Sequence, residues 1–369
     1  MLLAVVRLDA AWRLISRERG ACSLLIAHKP EQGERQGRPV WYCRPLCFQR
    51  GFFSRACALK MIDAVLLGTG GMLPLPARWL SCLAVRVAGQ ITLFDCGEGT
   101  QIAWRKSGWS FRRIGAICIS HTHADHVAGI PGILHAVANA GRTEPIRVFG
   151  PVGTAGVVSA LRVIAPVLPY EVVLTELRSG DRFALPGGLA GSCERGEHAL
   201  PVLAYRADLA RSRAFQPERA RALKVPIELW KRLQSGESVS WTGGTATPDA
   251  VLGSPRSGVS IAYVTDTRPV PKLPQFAEAV DLLVCEGTYG SDEDLPKAAR
   301  NKHMTFREAA TLAANANAQL LWLTHFSPAL EDPDAFVVNA RDVFPRAMIG
   351  YDGLSMGLSF SAGLSFSAE

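Results

Sequence analysis

The stretch His121-Thr122-His123-Ala124-Asp125-His126 places four candidate metal ligands in six residues, between the apolar runs Ala116-Ile117-Cys118-Ile119 and Val127-Ala128-Gly129-Ile130. The first run reads as a buried strand, so Ser120 begins the loop at its C-terminal end, and the spacing after His126 predicts a helix. A strand, a loop and a helix start fan their ligands around one point. Imidazole nitrogen and carboxylate oxygen suit zinc or manganese, and two such ions can generate hydroxide at neutral pH and hold both oxygens of a displacement. The pattern is read as a two-metal hydrolytic site.

One such run cannot fill two coordination spheres, so other ligands must come from elsewhere in the chain. Of the eight histidines, three lie in the run, while His198, His303 and His325 each sit beside a strand or a helix start. His28 and His135 are left over, and the ordinary reading of a lone histidine, a surface or hydrogen-bonded residue, is kept for both. Asp266 follows the strand-like Val259-Ser260-Ile261-Ala262-Tyr263-Val264, and His325 follows Leu320-Leu321-Trp322-Leu323-Thr324. Ligands at successive strand ends on one sheet edge are the geometry of an active site.

From Met61 onward the chain resembles the metallo-β-lactamase fold and, within it, ribonuclease Z, the endonuclease that trims precursor tRNA 3′ ends. In order, the stretches that carry the resemblance are Leu66-Leu67-Gly68-Thr69-Gly70-Gly71, Phe94-Asp95-Cys96-Gly97-Glu98-Gly99-Thr100-Gln101, the histidine run, Gly196-Glu197-His198, Thr265-Asp266-Thr267-Arg268-Pro269, Cys285-Glu286-Gly287-Thr288, His303-Met304-Thr305 and Leu323-Thr324-His325. The resemblance implies an α/β fold, the αββα sandwich of two mixed sheets with helices outside, carrying an inserted basic arm. It implies one ion on His121, His123 and His198, another on Asp125, His126 and His325, and Asp266 between them. The implied cofactor is two Zn2+ per subunit, with Mn2+ or another divalent ion as the alternative.

The chemistry implied is attack on phosphorus with Asp125 orienting the nucleophile or accepting its proton. A ribose 3′-oxygen is a poor leaving group without a proton, so a general acid is wanted opposite, and His303 is the candidate. Thr305-Phe306-Arg307-Glu308 reads as a capping box opening a helix through Ala316, which sets His303 just before a helix N-terminus. Glu286 resembles the family's acidic partner for that histidine and would keep it charged. The Gly68-Thr69-Gly70-Gly71 loop lacks the lysine and spacing of a P-loop and reads as a tight turn. Asp95 and Glu98 either hydrogen-bond beneath the metal site or cap the helix from Gly99 to Lys106.

Between His198 and Asp266 lies an insertion that the metal site does not need, an arm of about residues 205–245. Its first part carries Arg206, Arg211, Arg213, Arg219, Arg221, Lys224, Lys231 and Arg232 against Asp208, Glu218 and Glu228. Charge alone permits a phosphate-binding or a solvated helix. The resemblance implies that these residues, with Arg268, grip the elbow of precursor tRNA, reaching over from the other subunit of a homodimer. The family's Pro-Pro-Gly-Pro turn is replaced by Val225-Pro226-Ile227-Glu228-Leu229-Trp230.

Residues 1–60 hold 11 Lys/Arg against 4 Asp/Glu and residues 61–369 hold 29 of each, so all the formal excess charge of +7 lies in the extension. The basic balance is therefore no sign that the remaining chain binds nucleic acid. No family resemblance is assigned to the extension; a misassigned start codon is the preferred reading and an organelle transit peptide the alternative. Its apolar opening is too short to span a membrane. Nine cysteines without a C-x-x-C pair suit free thiols in a reducing compartment, and a cytoplasmic location is expected. Cys82, Cys118 and Cys285 read as core residues. The end repeats Gly-Leu-Ser-Phe-Ser-Ala, at 357–362 as a candidate closing strand and at 363–368 as a dispensable tail.

Rival readings are a small-molecule or cyclic-nucleotide phosphodiesterase of the same fold and, from another class, a non-catalytic RNA-binding relative. The first shares the metal site and lacks only the need for an arm. The complete ligand set argues against the second.

Overall fold

The computed structural model describes four short N-terminal strands and residues 61–360. Strands β1 (Leu2–Leu8), β2 (Ala11–Glu18), β3 (Ala21–Ala27) and β4 (Tyr42–Arg44) pair in chain order as an antiparallel sheet, in a unit separate from residues 59–360. What was expected of the rest of residues 1–60, of His28 and of the tail at 363–368 falls outside the described residues.

Two seven-stranded sheets make up the second unit. In the first, β10 (Val172–Leu177), β9 (Ile146–Pro151), β8 (Ile114–Cys118) and β7 (Gln90–Phe94) run parallel, and β6 (Cys82–Val87), β5 (Met61–Gly68) and β20 (Ser355–Ser359) continue it antiparallel. The second sheet repeats the division. Strands β11 (Arg182–Leu185), β12 (Leu189–Arg195), β13 (Leu203–Arg211) and β16 (Arg256–Val264) are antiparallel, followed by parallel β17 (Leu282–Glu286), β18 (Leu321–Thr324) and β19 (Ala347–Ile349).

Side-chain alternation along each strand explains the layering. Ile62, Ala64 and Leu66 of β5 point between the sheets, where they join Phe94, Tyr205, Tyr263 and Trp322, while Val65 and Leu67 face outward. That outer face is covered by α1 (Thr100–Ser107), α3 (Ile130–Asn139) and α4 (Thr154–Leu161), reached after the short α2 (Ala124–Val127). Ala262 and Val264 of β16 face outward from the other sheet onto α8 (Lys272–Phe276), α10 (Phe306–Asn315) and α11 (Val337–Arg341), with α9 (Leu295–Asn301) leading into α10. The result is the αββα sandwich expected. Cys82, Cys118 and Cys285 are buried in it, as anticipated.

The helix expected after His126 is α3, and Gly129 just before it lies against Gly97: a Cβ there would sit 2.1 Å from the Gly97 carbonyl oxygen. One sequence expectation needs correction. The arm starts later and ends later than 205–245. Leu203, Tyr205, Ala207 and Leu209 fill the inter-sheet core, so β13 runs on to Arg211, which pairs with Arg256 where β16 resumes the sheet. The arm proper is residues 212–255. It contains α5 (Pro217–Ala222), α6 (Ile227–Gln234), the hairpin β14 (Val239–Trp241) and β15 (Gly244–Ala246), and α7 (Pro248–Val251), around its own small core of Ala220, Val225, Leu233, Val239, Ala246, Val251 and Leu252.

Candidate active site

Strand ends from both sheets meet at one edge. His121, His123, Asp125 and His126 follow β8, Asp266 follows β16, Glu286 ends β17, and His325 follows β18. Asp95, Asp266 and His325 all have left-handed backbones, with φ of 59°, 50° and 58°. Residues with a Cβ seldom adopt that conformation, and here it recurs within two residues of three strand ends, where these side chains enter the site.

The candidate ligands form two groups. His121, His123, His198 and Asp266 bring ligand atoms within 4.8 Å of one another, as do Asp125, His126 and His325. Asp266 faces both groups with different oxygens. Its Oδ2 lies 3.6 Å from His121 Nε2 and 3.8 Å from His198 Nε2, and its Oδ1 lies 3.3 Å from His126 Nε2 and 3.1 Å from His325 Nε2. Asp125 Oδ2 completes the second group, 3.5 Å from His126 Nε2 and 3.4 Å from His325 Nε2.

Hydrogen bonds on the far ring nitrogens orient these imidazoles. His126 Nδ1 meets Asp95 at 2.7 Å, His198 Nδ1 the Lys302 carbonyl at 3.2 Å, His121 Nδ1 the Ser120 hydroxyl at 3.1 Å, and His325 Nδ1 the Thr288 hydroxyl at 3.1 Å. Burial and neighbouring imidazoles push His121 well down, and burial lowers His123 and His198, which favours the neutral form that offers a lone pair. Burial also disfavours charge on Asp125, but His126 and His325 outweigh it and hold the carboxyl far below its usual range. Mixed imidazole and carboxylate donors, with the outer nitrogens of His121, His126, His198 and His325 satisfied, fit a divalent metal.

His303 stands beside the groups, its Nδ1 3.1 Å from Glu286 Oε2 and 3.9 Å from Asp266 Oδ2. Burial alone would depress this imidazole; Glu286, then Asp266, raise it to about 9. The capping box is formed: Thr305 Oγ1 accepts from Glu308 N and Glu308 Oε2 from Thr305 N. Glu286 also accepts from the backbone N–H groups of Thr267 and Met304 and from the Thr288 hydroxyl.

Asp95 lies beneath the site, accepting from Ser120 N, Ser120 Oγ and Tyr263 OH, whereas Glu98 is exposed and α1 has no side-chain cap. The Gly68 to Gly71 loop does more than turn. A Cβ on Gly71 would stand 2.5 Å from the His325 ring, and the next residue, Met72, donates its N–H to Asp125 Oδ2 at 2.6 Å. Glycines placed straight after a strand were the available signal for such a close approach.

The expected tRNA contacts divide. Arg206 and Arg211 lie on β13, not in the arm: the Arg206 guanidinium donates to the Phe276 and Glu278 carbonyls and to Asp208, and Arg211 donates to the Phe360 carbonyl. Arg268 pairs with Glu308 and donates to the His303 carbonyl, so it braces the segment bearing His303 rather than reaching outward. Arg213 is tied to Asp249 and the Gly253 carbonyl, and Arg232 pairs with Glu237. Arg219, Arg221, Lys224 and Lys231 are exposed on the arm, with Arg221 over the Trp230 ring. His135 sits on the surface near the Ile164 carbonyl, away from both groups.

Residues 92–254 and 251–326 match the beta-lactamase superfamily domain. The chain is 45% identical over 313 residues to the ribonuclease Z of Clostridium botulinum (strain Eklund 17B / Type B), and 46% identical over 300 residues to that of Lachnoclostridium phytofermentans; each alignment covers 81% of this chain and 99% of the relative. Among solved structures, the metallo-beta-lactamase fold protein YhfI from Bacillus subtilis aligns with a TM-score of 0.59 at 17% identity, covering 81% of this chain and 99% of that one. Human tRNase Z, short form, aligns with a TM-score of 0.57 at 23% identity, covering 80% and 98%. Clustered histidines and aspartates that could hold a divalent metal, on an αββα sandwich with relatives of this identity over nearly their whole length, make the chain a member of the ribonuclease Z family of the metallo-β-lactamase superfamily.

Proposed function

We propose that the protein is a zinc-dependent endoribonuclease that cuts precursor tRNA at its 3′ end, removes the trailer and leaves a 3′-hydroxyl on the tRNA. The observation that carries this reading is the placing of His303 and Glu286 beside Asp266, the residue shared by the two ligand groups. His121, His123 and His198 would hold one ion, Asp125, His126 and His325 the other, with Asp266 between them. When bound, the ions supply the positive charge that lowers the pKa of water and neutralises the phosphate.

The chain's own residues do the rest. Asp125, fixed by Met72 N, orients the attacking water or takes its proton. His303, kept charged by Glu286, carries a proton on Nε2 for the leaving 3′-oxygen, while its Nδ1–H donates to Glu286. The exposed cations Arg219, Arg221, Lys224 and Lys231 hold phosphates of the tRNA. The enzyme works as a homodimer in the cytoplasm; among the described residues no helix is long and apolar enough to cross a membrane.

The test is incubation of the full chain, and of Asp125→Ala, with a precursor tRNA bearing a 3′ trailer, followed by mapping of product ends. One metal-dependent cut that leaves a 3′-hydroxyl and vanishes in the variant is expected. Intact precursor beside brisk hydrolysis of a small phosphodiester would overturn the reading.

A further inference from the structure

The turn between β19 and β20 bears on the site from a distance. Gly350 N donates to the Leu323 carbonyl at the end of β18, and Gly353 N donates to the Leu66 carbonyl near the end of β5, so this turn ties together the two sheets just below the site. Between those bonds lies Asp352. Its Oδ1 accepts from Thr69 Oγ1 at 2.8 Å and its Oδ2 from Trp79 N at 2.6 Å, which clamps both ends of the loop that joins β5 to β6.

That loop touches the second ligand group and not the first. The Thr69 carbonyl accepts from Phe326 N at 2.8 Å, and Gly71 N donates to the Phe326 carbonyl at 3.0 Å, so the residue next to His325 is gripped on both sides. Gly71 lies flush against the His325 ring, and Met72 N holds Asp125 Oδ2. The first group is braced elsewhere: Ser120 and the Lys302 carbonyl orient His121 and His198. Among the candidate ligands, the hydrogen bonds and close approaches of this loop lead from the Asp352 carboxylate through Thr69 to Asp125 and His325.

We infer that Asp352, acting through Thr69, is a positioning residue for the Asp125, His126 and His325 metal group and leaves the His121, His123 and His198 group largely untouched. The inference rests on the two-ion reading of the site. Asp352→Asn keeps the shape but turns an amide towards two donors, Thr69 Oγ1 and Trp79 N, of which its single oxygen can accept only from part. Thr69→Val removes the hydroxyl alone, and Thr69→Ser keeps it.

The experiment is titration of cobalt(II) into the metal-free full chain, followed by visible absorption and by calorimetry, with circular dichroism to verify folding. The wild-type protein should take up two equivalents. Asp352→Asn and Thr69→Val should weaken one of them by tenfold or more and leave the other and its spectrum unchanged, and Thr69→Ser should restore wild-type binding. If Asp352→Asn fails to fold, Thr69→Val against Thr69→Ser decides. Two sites weakened alike, or folded variants that bind both ions normally, would overturn the inference. A wild-type protein that takes up only one equivalent would overturn the two-ion reading and the inference with it.

Discussion

The body and the arm use charge in opposite ways. In the sandwich, Arg206 and Arg268 are turned inward onto carbonyls and Glu308, and the site carboxylates are enclosed by imidazoles. In the arm, Arg219, Lys224 and Lys231 are exposed on two short helices and the turn between them, which rest on a core of seven small and medium side chains. A body of this kind holds its donor atoms in place because strands on both sides and fully buried residues such as Trp322 and Tyr205 pack closely around them. The arm needs no such precision, since phosphate contacts are long-range and tolerant. On the proposed reading, chemistry belongs to the body and grip to the arm.

The separation can be broken or sharpened experimentally. The largest effect is expected from Asp266→Ala or a chelator: hydrolysis of precursor tRNA and of a small phosphodiester should both vanish while binding to the RNA persists, as measured by filter retention. Loss of RNA binding as well would make the two regions one. His303→Ala should slow precursor cleavage by about 10²–10⁴-fold, the usual worth of a general acid, with metal content unchanged by elemental analysis. Metal loss would move His303 into the ligand set.

Replacing Arg219, Lys224 and Lys231 together by Ala should raise the KM for precursor tRNA by on the order of tenfold and flatten its salt dependence, while a small phosphodiester is hydrolysed as before. Equal effects on both substrates would refute a docking arm. The smallest effect on the body should come from Leu233→Ala. It creates a cavity costing about 2–5 kcal/mol, yet within the arm's own core, so hydrogen exchange should accelerate in residues 212–255 and not in β8 or β18. Melting of the whole chain would show that arm and body fold as one.

Much of the site was legible because its signals are local. The run from His121 to His126 follows a five-residue strand, and the capping box at Thr305 and Glu308 needs only four consecutive residues. The roles of Arg206 and Arg268 were not legible, because whether an arginine faces solvent or a carbonyl depends on partners 70 and 40 residues away. Met72 was invisible for another reason: it acts through its backbone N–H, which every residue but proline has.

The sequence by itself determined the alternating strands, the residue types able to hold metal, the helix cap beside His303 and the presence of a basic insertion. These depend on side-chain chemistry and short-range spacing. Only the tertiary structure decided that Asp266 offers a different oxygen to each group, that the arm begins at residue 212, and that a glycine loop and the turn at Asp352 support Asp125 and His325. Such contacts join residues as far as 283 positions apart, and they arise where packing of the two sheets brings strand ends together.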